Sequence, residues 1–168
     1  HDPTEPGAAA AFDRRLALLM GASLCFYAFG LVHNDVADFE TDRQERPARP
    51  LPSNRVSRGA ALAAMAVLLF GALACCWFAG RDALHTGIFL AGAVLIYNQQ
   101  AKKHAKAGPL VMGLCRGLNI LLGASAVTVF PTAVWVCAGI ETLYIARVTA
   151  MARNEMEGGK VTPKVIGM

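Results

Sequence analysis

The sequence predicts an all-α fold: an integral membrane helical bundle of about five transmembrane helices. Three observations carry that expectation. Of the 168 residues, 55% are hydrophobic and the mean hydropathy is +0.41, too apolar for an ordinary soluble domain. Apolar runs about as long as a bilayer crossing recur along the chain. The basic residues behind the net charge of +4 and the pI near 9.0 sit in short loops between those runs. That pattern sets orientation in a membrane and does not describe a nucleic-acid-binding face.

Taken in order, residues 1–14 are rich in Pro, Gly and Ala and are expected to form a poorly ordered lead-in. The transmembrane domain is expected over 15–153 and a cytoplasmic C-terminal segment over 154–168. The first membrane helix covers 15–32, with room to run on as far as Asp42. Its apolar part is near the lower limit of the ~20 residues a crossing needs. A second helix spans 57–79, with Ser57 as its N-cap. Gly80, Arg81 and Asp82 make a tight turn into a third helix over 83–97, so the two form a hairpin. A loop over 98–106 carries Lys102, Lys103, His104 and Lys106. The fourth helix runs over 109–128, Phe130-Pro131-Thr132 turns the chain, and the fifth covers 133–152.

Five crossings place the basic segments 43–58, 102–106 and 153–164 on one side, which should face the cytoplasm from the inner membrane of a bacterial cell. Arg14 and Arg15 fall on the less favoured side. The cysteines, Cys25, Cys75, Cys76, Cys115 and Cys137, all lie inside apolar runs without ligand spacing, and read as small core residues. His33, His85 and His104 have no His or carboxylate partner at metal-site spacing. Gly113, Gly117 and Gly123 read as close-packing surfaces between helices.

The densest chemistry lies between the first two helices. If the first helix continues through Asp42, then Asp35, Asp38 and Asp42 share one stripe, with Asn34 one turn behind Asp38. Stacked carboxylates repel one another unless a hard divalent cation sits among their oxygens. Mg²⁺ characteristically takes one or two carboxylates, waters and substrate phosphate oxygens. Arg43, Arg46, Arg49 and Arg55 follow, and guanidinium forks match phosphate geometry. Pro47, Pro50 and Pro52 end the helix and predict a stiff, extended loop. A solvated loop obeying the positive-inside rule would explain the arginines, but not three carboxylates on one stripe.

Asn34-Asp35-x-x-Asp38-x-x-x-Asp42, followed by Arg46-Pro47-x-Arg49-Pro50-Leu51-Pro52-Ser53, resembles the first aspartate-rich motif of the UbiA superfamily of intramembrane prenyltransferases. Those helical membrane enzymes move an isoprenoid chain from its diphosphate ester to an acceptor, using Mg²⁺. Tyr97-Asn98-x-x-x-Lys102 and then Arg116-x-x-Asn119-x-x-x-Gly123 continue the resemblance. It implies metal ligands at Asn34, Asp38 and Asp42, and catalytic roles for Asp35, Asp38, Asp42 and Lys102. It also implies substrate contacts at Asn34, Arg43, Arg46, Arg49, Tyr97, Lys103, Arg116 and Asn119. Independently of the family, an arginine inside an apolar helix is a functional candidate. The competing reading of Arg116 is a structural partner for a backbone carbonyl or for Glu141.

The resemblance weakens in two places. The second aspartate-rich motif expected after Leu143-Tyr144 is replaced by Arg153-Asn154-Glu155-Met156-Glu157. On a helix Glu155 and Glu157 point to different sides, so at most Glu155 is carried over as a single ligand or base. That replacement resembles the divergent EboC-like and other UbiA-like proteins. Full members have about nine helices, so the chain matches the middle of one, without a preceding helix and the last three or so.

The expected function is therefore Mg²⁺-dependent transfer of a prenyl group from a polyprenyl diphosphate to a small lipophilic or aromatic acceptor within the membrane. The alternative is a non-catalytic relative that binds an isoprenoid lipid or a partner protein. An enzyme handling CDP-alcohols is disfavoured, because its DGxxAR and GxxxDxxxD pattern is absent from the sequence. The sequence leaves acceptor, chain length and oligomeric state open.

Overall fold

The computed structural model describes residues 6–127 and 130–158, and among them there are helices and connections but no strand. The helices are α1 (Pro6–Ala37), α2 (Phe39–Glu45), α3 (Arg58–Ala79), α4 (Arg81–Gln99), α5 (Ala107–Ala124) and α6 (Thr132–Gly158), with a single 3₁₀ turn at Ala101–Lys103. Among the described residues four stretches are long and apolar enough to cross a membrane: Ala10–Ala37, Arg58–Ala79, Ala107–Ala124 and Thr132–Arg153. The fifth long helix, α4, has 19 residues. It is less apolar because Arg81, Asp82 and His85 open it and Tyr97, Asn98 and Gln99 close it. Large side chains such as Phe70, Trp77, Phe89 and Trp135 face outward. In a bilayer that is the solvated face of the bundle.

The core is made mostly of small residues. Ala22, Ala72, Cys76 and Ala83 are buried with Leu19, Phe26 and Leu122, so α1, α3 and α4 pack closely. α5 lies at the centre, touching α1, α4 and α6, whereas α6 packs on α5 alone among the described helices. Glycine makes that last contact possible. A Cβ on Gly113 would collide with the carbonyl of Thr142, and one on Gly117 would meet the Thr142 hydroxyl and come within 2.8 Å of the Ala138 oxygen.

Ser57 caps α3 as expected, its hydroxyl accepting from the Ala60 N–H at 3.1 Å. The α3–α4 turn is tighter than expected: Gly80 alone separates the helices, at φ +136°, a conformation that suits glycine. At that end Arg15 Nη1 donates to the Ala126 carbonyl at 3.4 Å. Arg15 thus supplies a donor to a carbonyl just past the end of α5.

Several expectations are corrected. Residues 6–14 are helical, not a loose lead-in, because Pro6 fits a first helical position and an alanine run follows. Residues 1–5 lie outside the described residues. At the other end α6 continues through Gly158, so 154–158 belong to the helix, and 159–168 lie outside the description. α5 begins earlier than expected, at Ala107, and ends at Ala124; residue 128 is not described. The arginine-proline loop is not extended. Hydrogen bonds from Arg49 N to Arg46 O, Ser53 N to Arg49 O and Val56 N to Pro50 O fold it into successive turns over the buried Leu51.

Candidate active site

α1 does not run unbroken to Asp42. At Asp38 the backbone opens to φ −92°, ψ 3°, and α2 starts at the next residue. The i−4 hydrogen bonds from Asp38 N to Asn34 O (2.9 Å) and Asp42 N to Asp38 O (2.8 Å) persist across the break. The motif is thus held on nearly helical backbone, but its acidic side chains are re-aimed.

The carboxylates divide between two cations. Lys102, carried on the 3₁₀ turn, places Nζ 2.6 Å from Asp38 Oδ1 and 3.0 Å from Asn34 Oδ1. Arg49 reaches back from the loop, with Nη1 2.6 Å from Asp42 Oδ2 and 3.6 Å from Asp35 Oδ1. Arg46 Nη1 stands 4.0 Å from the other oxygen of Asp42. Asp42 is buried at 4% exposure, so its ion pairs carry real electrostatic weight. The expected single stripe of three carboxylates is therefore split. Among the described residues no three His, Cys, Asp or Glu side chains gather closely enough to hold a metal.

The donor chemistry nevertheless suits a hard divalent cation. An amide oxygen of Asn34 and a carboxylate oxygen of Asp38 already converge on one cationic atom. Mg²⁺ needs little more from protein when phosphate oxygens and waters complete its sphere. Three carboxylates (Asp35, Asp38, Asp42) face three cations (Arg46, Arg49, Lys102), so the cluster is close to neutral by itself. A diphosphate entering it brings further negative charge that a divalent cation would balance.

Behind this cluster a cavity of about 530 Å³ opens between α1, α4 and α5. Asp35, Arg49 and Tyr97 stand toward one end, and Tyr27, Arg116 and Asn119 line it further in. Asn119 Oδ1 accepts from Ser23 Oγ at 2.9 Å, joining α5 to α1. The Arg116 guanidinium lies 6.0 Å over the Tyr27 ring. Of the other residues singled out from sequence, Arg43, Lys103 and Glu155 are exposed, on α2, on the 3₁₀ turn and near the end of α6. None of the three lines the cavity.

Three further groups belong to the site's framework. Asn98 Nδ2 donates to the Gly30 carbonyl (3.2 Å) and lies 3.3 Å from His33 Nδ1, latching α4 to α1 behind Asn34. His33 stacks on Phe29, with ring centroids 5.6 Å apart. Arg153 Nη1 donates to the Lys102 carbonyl at 3.2 Å, which ties α6 to the turn carrying the lysine. Ser23, Tyr27, Gly30 and Asn34 recur at helical spacing on one face of α1, a signal that could have found the cavity wall.

The likeness to known proteins extends over most of the chain. The model of the UbiA prenyltransferase family matches residues 5–165. The digeranylgeranylglyceryl phosphate synthase of Methanothrix thermoacetophila is 28% identical over 158 residues, covering 89% of this chain and 58% of that protein. The protein of the same name from Methanocaldococcus jannaschii is 30% identical over 134 residues, covering 79% of this chain and 47% of that one. A solved structure described as "Structural and mechanistic insights into the biosynthesis of Digeranylgeranylglyceryl phosphate synthase in membranes" superposes with a TM-score of 0.76 at 29% identity, covering 86% of this chain and 52% of the other. The chain spans about half the length of the relatives it matches.

Proposed function

The chain belongs to the UbiA prenyltransferase family, and from that premise we propose that it transfers a prenyl group from a polyprenyl diphosphate to a lipophilic acceptor inside the membrane. One observation carries the reading: Asn34, which lines the cavity beside Asp35 and Arg49, shares the Lys102 ammonium with Asp38. The diphosphate would lie at that charged end, and the apolar chain would extend into the cavity along Phe26 and Leu90. The relatives' names point to a prenylated glyceryl phosphate as the product, which favours a phosphorylated glycerol lipid over an aromatic acceptor.

Asn34 and Asp38 would hold Mg²⁺, which when bound supplies Lewis-acid stabilisation of the leaving diphosphate; Asp42, paired with Arg49, would join them only once that arginine turns to phosphate. The bond that breaks joins the prenyl C1 to the diphosphate oxygen, and its electron pair leaves with the diphosphate. The acceptor hydroxyl oxygen forms the new bond to C1 as its O–H bond breaks, and the proton passes to the departing diphosphate. Lys102, Arg46 and Arg49 neutralise charge growing on the phosphates as C1 becomes cationic. Each must exchange its carboxylate partner for phosphate oxygen, which the half-exposed Arg49 can do without unfolding the loop. Tyr97, lining the cavity beside this end, presents a ring to the developing cation. The basic loops, gathered at the same end as the motif, favour the cytoplasmic face for this chemistry.

The test is Mg²⁺-dependent diphosphate release from geranylgeranyl diphosphate by the chain in nanodiscs, with a prenylated glyceryl phosphate as acceptor. Release that falls roughly 100-fold or more in Asp38→Ala is expected. Folded protein that binds the diphosphate but never releases it would refute transfer. That outcome would favour the binding-only reading, which the exposure of Glu155 at the altered α6 end supports.

A further inference from the structure

Arg116 is a charge in the wrong place for a merely structural residue. It lies nine positions past Ala107, which begins the 18-residue α5, so it sits about 14 Å along a helix that crosses the membrane. A guanidinium at that depth is costly unless it faces a partner or a cavity. Among the described residues no carboxylate, Glu141 included, lies within ion-pairing reach of it, and its contact is the ring of Tyr27. It lines the cavity, whose charged lining besides Arg116 is Asp35 and Arg49 at the end near the acidic motif, whereas Ser23 and Asn119 are uncharged and bonded to one another.

From these observations we infer that Arg116 is the recognition residue for an acceptor carrying a phosphate head group. The cavity then has two ends of different charge chemistry. The Asn34–Asp38–Lys102 end takes the donor diphosphate, and the guanidinium further in takes a second, separate anion. Side chains on a helix lean toward its N-terminus. For α5 the N-terminus is the end next to the Lys102 turn, and the head of Arg116 stands near the Tyr27 ring. Both ends open on one cavity, so an acceptor phosphate held by Arg116 would share that space with the donor's prenyl chain. The guanidinium fork can bind two phosphate oxygens at once, which a lysine ammonium cannot reproduce. The Tyr27 ring, 6.0 Å from the guanidinium carbon, lies within cation–π reach of it.

The inference rests on the proposed transfer for its biological meaning, but its test needs no turnover. Binding of dodecyl phosphate and of dodecanol to the chain in nanodiscs is compared, without prenyl donor or Mg²⁺, for the wild type, Arg116→Gln and Arg116→Lys. The expected result is at least a tenfold preference for dodecyl phosphate in the wild type. Arg116→Gln should lose it and Arg116→Lys should keep part of it, with all three proteins melting alike. A wild type without preference, or a preference that survives Arg116→Gln, overturns the assignment. So does a preference lost in Lys102→Gln but kept in Arg116→Gln, which would put the phosphate at the donor end. Absence of prenyl transfer alongside a preference that depends on Arg116 would refute the transfer reading and leave the phosphate site standing.

Discussion

Replacing Lys102 by Gln should move two affinities in opposite directions. In the structure the ammonium occupies the point on which Asn34 Oδ1 and Asp38 Oδ1 converge, at 3.0 and 2.6 Å. Mg²⁺ binding to those oxygens has to displace it. The pair is partly exposed, 15% for Lys102 and 32% for Asp38, so screening limits its worth to about 1 kcal/mol or less. Removing that competitor should tighten Mg²⁺ binding by up to about fivefold in the absence of diphosphate, since 1.4 kcal/mol is tenfold. The diphosphate loses a charge-assisted hydrogen bond worth roughly 1.5–3 kcal/mol, so its binding should weaken by about tenfold to 150-fold. Folding should change by under ~1 kcal/mol, because Asp38 can hydrate and Gln still offers a donor. Calorimetric titration of Mg²⁺ and of geranylgeranyl diphosphate into the protein in nanodiscs reads both affinities, with thermal unfolding as the control. If Mg²⁺ binding weakens in parallel with diphosphate binding, the lysine supports the metal and does not compete with it, and the assigned geometry is wrong.

Other consequences can be checked in the same preparation. Gly117→Val should destabilise the chain by about 1–3 kcal/mol in detergent unfolding, because the seam with Thr142 and Ala138 leaves no room. Gly123→Ala, with nothing within 4 Å of the added carbon, should be neutral or slightly stabilising. Ser57→Ala should cost about 1 kcal/mol of stability through loss of the α3 cap, and Ser57→Asp should restore it. Asn98→Leu should cost roughly 1–3 kcal/mol, since the buried amide supplies the Gly30 carbonyl and faces His33; an unfolding midpoint equal to wild type would show the latch to be idle.

The apolar runs, the Ser57 cap and the Gly80 turn made the helical hairpins legible, because each is a local device whose residues lie side by side in the chain. The break at Asp38 was not, since both i−4 bonds around it survive and the acidic spacing reads as unbroken helix. Pro47, Pro50 and Pro52 were read as extended, yet proline suits the second position of a turn equally well. What decides between these is burial of Leu51, a tertiary fact. At the site, spacing identified the acids but not their partners. Lys102 comes to Asp38 from 64 residues away, and Arg49 chooses Asp42 only because the loop folds back. The N-terminal alanine run shows the opposite failure, in which composition alone suggested a loose segment where proline at the first helical position starts a helix.

The glycine seam and the charged cluster, read separately in the sequence, form one mechanical chain in the fold. Gly113 and Gly117 let α6 approach α5 closely enough for Thr142 to lie against them. That approach fixes where the far end of α6 stands, and there Arg153 holds the carbonyl of Lys102 at 3.2 Å. The same residue's ammonium is the one shared by Asn34 and Asp38. α6 therefore reaches the acids through Arg153 and the 3₁₀ turn. Catalytic geometry tolerates errors of well under 1 Å, and packed interfaces shift in steps and not by smooth deformation. A side chain forced into the α5–α6 seam should thus disturb the position of Lys102 from three turns or more away, which explains why a seam of glycines runs along the one helix that touches α1, α4 and α6 together.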